Sequence, residues 1–443
     1  MKNQPKITVG IIDGQAEVTG FLNGEFRGDG FGAFSGRFSA DAVSGMIVLT
    51  DEAHREIARR PSVRLAAPAG STFELFDVTI GTRFHWERRE DQVFQGNLIL
   101  SPRRGGTVAA INEIPVEDYL NSVISSEMSA AAPIEFLKVH AILSRSWLMS
   151  ALDRKKRAKD TSLPSKKPAG KQEEVIRWYD REDHDLFDVC ADDHCQRYQG
   201  VRKIVSPRAK EAVQETRGTA ITYGDEICDA RYSKACGGLT EHFETAWEDK
   251  RVPYLTSVSD APVSYAPIVT EEDAARWILS APEANCHTED EPLLETILPA
   301  FDRETKSFFR WTVDYSREQL EEILREKSGF DFGDLQGIVP LPRGPSGRIH
   351  RLKIVGAKKS IVVGKELEIR RWLSRSHLYS SAFLVKVKHD HSGKAERFTF
   401  HGAGWGHGVG LCQIGAAVMA ARGFKAEEIL KLYFRGSEIT KIY

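Results

Sequence analysis

At Pro115 the sequence changes its period, and that change limits the folds open to the chain. Before it, Ile7–Ile12, Met46–Thr50 and Phe73–Ile80 are short runs rich in Val, Ile, Phe and Thr, separated by glycine turns, the pattern of β-strands. Six glycines from Gly20 to Gly36 fit tight hairpin turns rather than a disordered linker. A strand at Thr107–Ile111 leads into Pro115. Beyond it, Tyr119, Leu120, Val123, Ile124 and Met128 recur at helical spacing. Pro133 then opens a second helix, Ile134 to Leu152. The expectation is an α+β protein: β-rich, with a helical pair and helical insertions.

The rest of the chain returns to mixed patterns. Val213–Tyr223 and Ile227–Ser233 read as a hairpin across Gly224-Asp225, and 261–345 as a helical insertion with helices at Glu271–Leu279 and Arg317–Lys327. Strands follow at Arg348–Val355 and Ile361–Ile369, a short helix at Arg370–Leu373, and paired strands at Phe383–Val387 and Arg397–Phe400. A helix at Lys425–Phe434 closes the chain. This divides it into a β-rich N-terminal domain, 1–100, and a long region, 107–443, with insertions near 153–185 and 261–345.

Charge excludes one class of partner. The 61 Lys and Arg against 63 Asp and Glu leave a net charge of −2, so no global field draws nucleic acid or an anionic membrane. The charge is unevenly spread: Arg154–Lys171 holds eight basic residues and one acid, and Gln172–Asp193 nine acids and two arginines. The basic run carries two prolines and a glycine and reads as a solvated loop. Six cysteines in 443 residues are too few for a disulfide scaffold. Neither a targeting signal nor a stretch of about 20 apolar residues is visible.

Four constellations could carry chemistry. Glu127 shares the apolar face of the first helix, and Arg145 the inner face of the second. Burial disfavours a charged carboxylate, and a carboxylic acid that keeps its proton near neutrality is what glycosidic cleavage needs; a structural ion pair with Arg145 is the plainer alternative. His184, Cys190 and Cys195, with His194 adjacent, offer donors that suit Zn²⁺, three ligands and an open position being the catalytic arrangement. Two reduced cysteines and a surface histidine explain the same residues. Gly402–Gly410 places glycine at every even position. If extended, it bares one face of backbone while Trp405 and His407 line the other; either a groove for a polymer or a tightly packed core strand would use it. Finally, Tyr232 to Gly238 ends in a Gly-Gly turn. Cys236 within it has no evident base partner for nucleophilic work.

Taken together, IPVEDYLNSVISSEM at 114–128, FLKVHAILSRSWLMSAL at 136–152, DVCADDHCQRYQGV at 188–201, AVQETRGTAITYGDEICDARYSKACGGLTE at 212–241, VPYLTSVSD at 252–260, GWGHGVGLCQIGA at 404–416 and EEILKLYF at 427–434 resemble the stage II sporulation protein D family, which overlaps the amidase-enhancer domain. The resemblance implies a lytic transglycosylase acting on peptidoglycan glycan strands stripped of stem peptides, in the cell envelope. It places the catalytic acid at Glu127, assisted by Arg145. It sets His184, Cys190 and Cys195 in a zinc-ligand segment found in some members, with no organic cofactor. Tyr232 and Lys234 match the strand before the Gly-Gly turn, and Trp405 with His407 would line the glycan groove. Cys236 stands where members often have serine. The rival it leaves open is a glycan-binding module that stimulates a peptidoglycan amidase without turnover, and a more distant one is a metal-dependent hydrolase at the Cys/His cluster.

Overall fold

The computed structural model describes residues 4–82, 87–160, 173–179, 184–299, 302–303 and 307–443. The chain divides into two compact units, each assembled from separate stretches: 1–148, 181–220 and 441–443 form the first, and 149–180 with 221–440 the second.

The first unit is built on β1 (Lys6–Gln15), β2 (Glu17–Gly28), β3 (Ala33–Val43), β4 (Met46–Asp51), β5 (Glu56–Arg60), β6 (Val63–Ala66), β7 (Thr72–Ile80), β8 (Arg88–Gln95), β9 (Asn97–Arg103) and β10 (Thr107–Pro115). All ten belong to one sheet, in the order β1-β10-β9-β6-β2-β3-β4-β5, with β7 joining β2 to β8. Alternation along the strands drives the assembly: in β7, Phe73, Leu75, Val78 and Ile80 are buried, the register shifting by one residue between Leu75 and Val78, so one face of the pleat stays apolar. β10 pairs with β1 from Lys6↔Pro115 to Gln15↔Val108 and with β9 on its other side. The expected boundary between residues 100 and 107 therefore falls inside this sheet.

From β10 the chain enters α1 (Val116–Glu127) and then α2 (Ile134–Asp160). The second helix runs past the expected end at Leu152 into the basic run, because Arg154 to Lys159 contain no helix breaker; positions 161–171 of that run lie outside the described residues. Val213 is helical rather than the start of a strand: Pro207–Glu215 is a helix whose Ser206 cap accepts a hydrogen bond from the Arg208 N–H. The hairpin beyond it survives as Thr222↔Ile227 and Tyr223↔Glu226.

In the second unit, Arg310–Ser316, Ala395–Ala403 and Phe383–His389 form an antiparallel sheet with Ala395–Ala403 in the middle. A four-stranded sheet runs Glu174–Ile176, Ser360–Gly364, Leu352–Gly356, Leu335–Pro340. Trp311, Leu320, Ile354, Val363, Trp372, Phe398 and Phe400 share one core. The segment 261–345 does supply helices at Glu271–Leu279 and Arg317–Ser328, yet it also contributes strands to both sheets and so is part of this unit's framework. The architecture is α+β and β-rich.

Candidate functional site

Glu127 is the last residue of α1 and is 8% exposed. A carboxylate at a helix C-terminus faces the negative end of the macrodipole, so a donor must be brought to it. One such donor is the Arg197 N–H, 3.0 Å from Glu127 Oε1. Arg197 sits in an extended segment strapped across α1. Ser122 donates to the Gly200 carbonyl at 2.9 Å, and the Gln199 N–H reaches Ser126 Oγ at 3.3 Å. Gly200 is required here: its φ is +75°, and a Cβ would sit 2.2 Å from the Val93 carbonyl oxygen of β8.

A stack of rings supports the strap. Phe26, Phe73, Phe94, Tyr198 and Tyr119 follow one another at centroid separations of 6.4, 5.4, 5.6 and 5.0 Å. The Tyr198 hydroxyl donates to Asn112 Oδ1 at 2.6 Å, and the Asn112 amide donates to the Gln95 and Asn97 carbonyls. The β-sheet thus fixes the backbone that holds Glu127. Asp193 is a second acid that sequence reasoning passed over. Burial pushes its carboxyl up to about 7 against the pull of Arg197, and the charges of Asp192 and Glu127 push in the same direction as burial; Arg197 Nε holds it at 2.6 Å.

Arg145 does not orient Glu127. Its guanidinium grips Glu117 in a buried two-point pair, Nε to Oε1 at 3.0 Å and Nη2 to Oε2 at 2.6 Å, and donates to the Thr219 carbonyl at 2.8 Å. Glu117 also accepts from the Gly218 N–H at 3.1 Å and the Tyr443 hydroxyl at 2.5 Å. The reason is length. Ten residues of α-helix span about 15 Å, so an arginine that reaches Glu117 cannot also serve Glu127.

His184, Cys190 and Cys195 do converge, and His194 joins them; the four donor atoms lie within 4.8 Å of one another. His184 Nε2 is 3.4 Å from Cys195 Sγ, and His194 Nδ1 is 3.3 Å from Cys195 Sγ and 3.8 Å from Cys190 Sγ. Cys195 and the two histidines beside it hold the Cys190 thiol far below its usual range, against its burial. The strand Val189–Cys190 pairs in parallel with β1, Cys190 opposite Gly10. A Cβ on Gly10 would lie 2.4 Å from the Phe187 ring, which packs 4.5 Å from the His184 ring. Two sulfurs and two imidazoles at these separations fit tetrahedral Zn²⁺. With His194 as a fourth donor, an ion held by all four would have a closed shell, which accords with a structural or cleft-shaping role rather than a catalytic one.

Tyr232, Lys234, Trp405 and His407 belong to the second unit. Tyr232–Ser233 pairs in parallel with Leu411–Cys412. Lys234 is buried and ion-paired with Asp302 at 2.7 Å. Trp405 stacks on Tyr379 at 4.2 Å and packs against Phe308. His407 accepts a hydrogen bond from the Val409 N–H at 3.0 Å, and burial with Arg231, Arg348 and Arg370 nearby lowers its pKa well below the ordinary value. The glycine run is not extended as supposed: Gly404, Gly406, Gly408 and Gly410 all have φ between +73° and +90°, a region that costs any residue with a Cβ. What approaches their bare backbone is the chain itself. A Cβ on Gly408 would meet the Arg348 guanidinium at 2.3 Å, and one on Gly410 the Arg231 carbonyl at 2.1 Å. Cys236 is buried, which pushes its thiol well above the usual range, the opposite of the lowered pKa that a nucleophilic cysteine needs.

Residues 104–223, which carry Glu127 and the Cys/His set, match the model of the Stage II sporulation protein family. That match spans about a quarter of the chain. Residues 241–410 match a further family described as a domain of unknown function, DUF8618. Among curated relatives, an uncharacterized protein of Brachyspira hyodysenteriae is 24% identical over 99% of this chain and 93% of its own length. Stage II sporulation protein D of Bacillus subtilis is 24% identical over 75% of this chain and 76% of its own. The amidase enhancer of Bacillus subtilis is 25% identical over 52% of this chain and 32% of its own length. Among the described residues no helix is long and apolar enough to cross a membrane.

Proposed function

We propose that this Stage II sporulation-type chain serves the cell wall, in the cell envelope, as a peptidoglycan lytic transglycosylase. The observation that carries the reading is Glu127: a carboxyl held by the strapped Arg197 N–H at the end of α1, inside the segment that matches the family. Glu127 donates a proton to the glycosidic oxygen between N-acetylmuramic acid and N-acetylglucosamine, and the bond to C1 breaks through an oxocarbenium-like transition state. The carboxylate so formed takes the proton of the muramoyl C6 hydroxyl, whose oxygen closes on C1 to give a 1,6-anhydro sugar. One carboxyl performs both steps because no water is activated. Arg145 keeps α1 and α2 in register from the far end of α1. His184, Cys190, His194 and Cys195 would hold Zn²⁺, which when bound supplies a fixed cross-link below the strap.

The test uses denuded glycan strands. Wild type is expected to generate anhydro-muramoyl ends by mass spectrometry, and Glu127→Gln to lose at least 100-fold of that activity, the order expected for a general acid. Reducing ends in their place would move the chemistry to hydrolysis. The similarity to an amidase enhancer favours one second reading, a glycan-binding stimulator of an amidase; unchanged stimulation by Glu127→Gln with no cleavage by wild type would establish it instead.

A further inference from the structure

Five of the six cysteines fall in two clusters, and the second has no part in the chemistry above. Cys236, Asp260, Cys286 and Cys412 are 2%, 0%, 2% and 0% exposed, and their donor atoms lie within 4.8 Å of one another. Cys236 Sγ is 3.5 Å from Asp260 Oδ2 and 3.7 Å from Cys286 Sγ. No two of these residues are neighbours in sequence. Cys236 precedes the Gly237-Gly238 turn, whose φ values are +83° and +106°. Asp260 follows the bridge Leu239↔Ser259, Cys286 lies in the loop before the helix Glu291–Ile297, and Cys412 caps the N-terminus of the helix Gln413–Ala421.

Hydrogen-bond donors are aimed at the sulfur and oxygen atoms of the cluster. The Cys236 N–H points at Cys412 Sγ at 3.2 Å, and the Gly238 N–H at Cys236 Sγ at 3.4 Å. The Cys286 N–H donates to Asp260 Oδ2 at 2.9 Å, and the Tyr433 hydroxyl to Oδ1 at 2.6 Å, the outer-shell bonding that orients a ligating carboxylate. Gly415 makes room for it, since a Cβ there would lie 2.3 Å from Asp260 Oδ1. Three buried thiols could pass as small apolar side chains. A fully buried carboxyl among them, with no ion-pair partner among the described residues, could not without cost.

We infer that Cys236, Asp260, Cys286 and Cys412 form a second metal site, holding one Zn²⁺ through three sulfurs and one carboxylate oxygen. Soft thiolates select zinc over magnesium or calcium, and four donors close a tetrahedral shell. The thiol protons leave to solvent on binding. The ion ties together a strand end, two loops and a helix N-terminus that the chain order leaves far apart.

The experiment measures zinc per chain by mass spectrometry on the full chain, grown with Zn²⁺ and freed of loose metal. Cys190→Ser/Cys195→Ser is expected to retain about one zinc, and Cys236→Ser/Cys412→Ser to hold about one fewer than wild type. Loaded with Co²⁺ alone, Cys190→Ser/Cys195→Ser should show the thiolate charge-transfer band of a tetrahedral site. Because some variants could fail to fold, the native wild-type chain is also alkylated with and without prior chelation, then denatured and mapped: Cys236, Cys286 and Cys412 should be protected before chelation and reactive after it. A Cys236–Cys286 disulfide, or a folded Cys236→Ser/Cys412→Ser chain with undiminished zinc, overturns the assignment. Loss of zinc by these variants is independent of anhydro-sugar production, so its failure is distinct from failure of the transglycosylase reading.

Discussion

Arg145 and His407 show how far a residue's role depends on what surrounds it. Both were expected near substrate. Arg145, 0% exposed, is held by Glu117 and the Thr219 carbonyl. Removing one partner of such a pair strands a buried charge, which costs about 3–5 kcal/mol. Arg145→Met should therefore lower stability by that order in denaturant melts, while the residual activity per folded molecule stays near wild type. For His407, the folded pKa lies below the unfolded value of about 6.5. As pH falls below that value the unfolded chain takes up a proton and the folded one does not, so stability is lost on acidification, by up to about 1.4 kcal/mol per pH unit until the folded pKa is reached. His407→Gln should flatten that part of the stability–pH curve; an identical slope in both proteins would show that His407 does not contribute it.

Among the elements, the strap at 196–200 and the glycine run at 402–410 use backbone where sequence patterns suggest side chains. The strap is neither helix nor strand; glycine at 200 and two serines of α1 hold it in place. Gly200→Ala brings a Cβ against the Val93 carbonyl at a positive φ, a strain of about 1–3 kcal/mol. The displaced Arg197 N–H should then leave Glu127, and cleavage should fall at least tenfold, with faster amide exchange confined to 196–200. Periodicity located α1, the two helices at Glu271–Leu279 and Arg317–Ser328, and the strands flanking Ser392-Gly393, because each carries a repeating apolar face. It could not reveal the strap, which has no period, and it placed Val213 in a strand because a buried turn of helix and a buried strand share one composition.

For the whole molecule, the consequence concerns where the chain can be cut. A β-rich front read as a domain of its own should be separable, but β10 lies between β1 and β9 in one sheet. Deleting residues 1–106 would strip both neighbours from β10 and the ring stack from Tyr119 and Tyr198. That fragment should fail to give a cooperative melt, whereas a well-folded, active 107–443 would show the front to be dispensable. The sequence by itself determined the α+β class, the buried Glu127 and the Cys/His set near 190, since each rests on residues close together in the chain. Only the tertiary structure decided that Arg145 serves Glu117, that His194 joins His184, Cys190 and Cys195, and that Cys236, Asp260, Cys286 and Cys412 meet. Those partners lie up to 176 residues apart, and no local period or spacing encodes which distant segments will pack together.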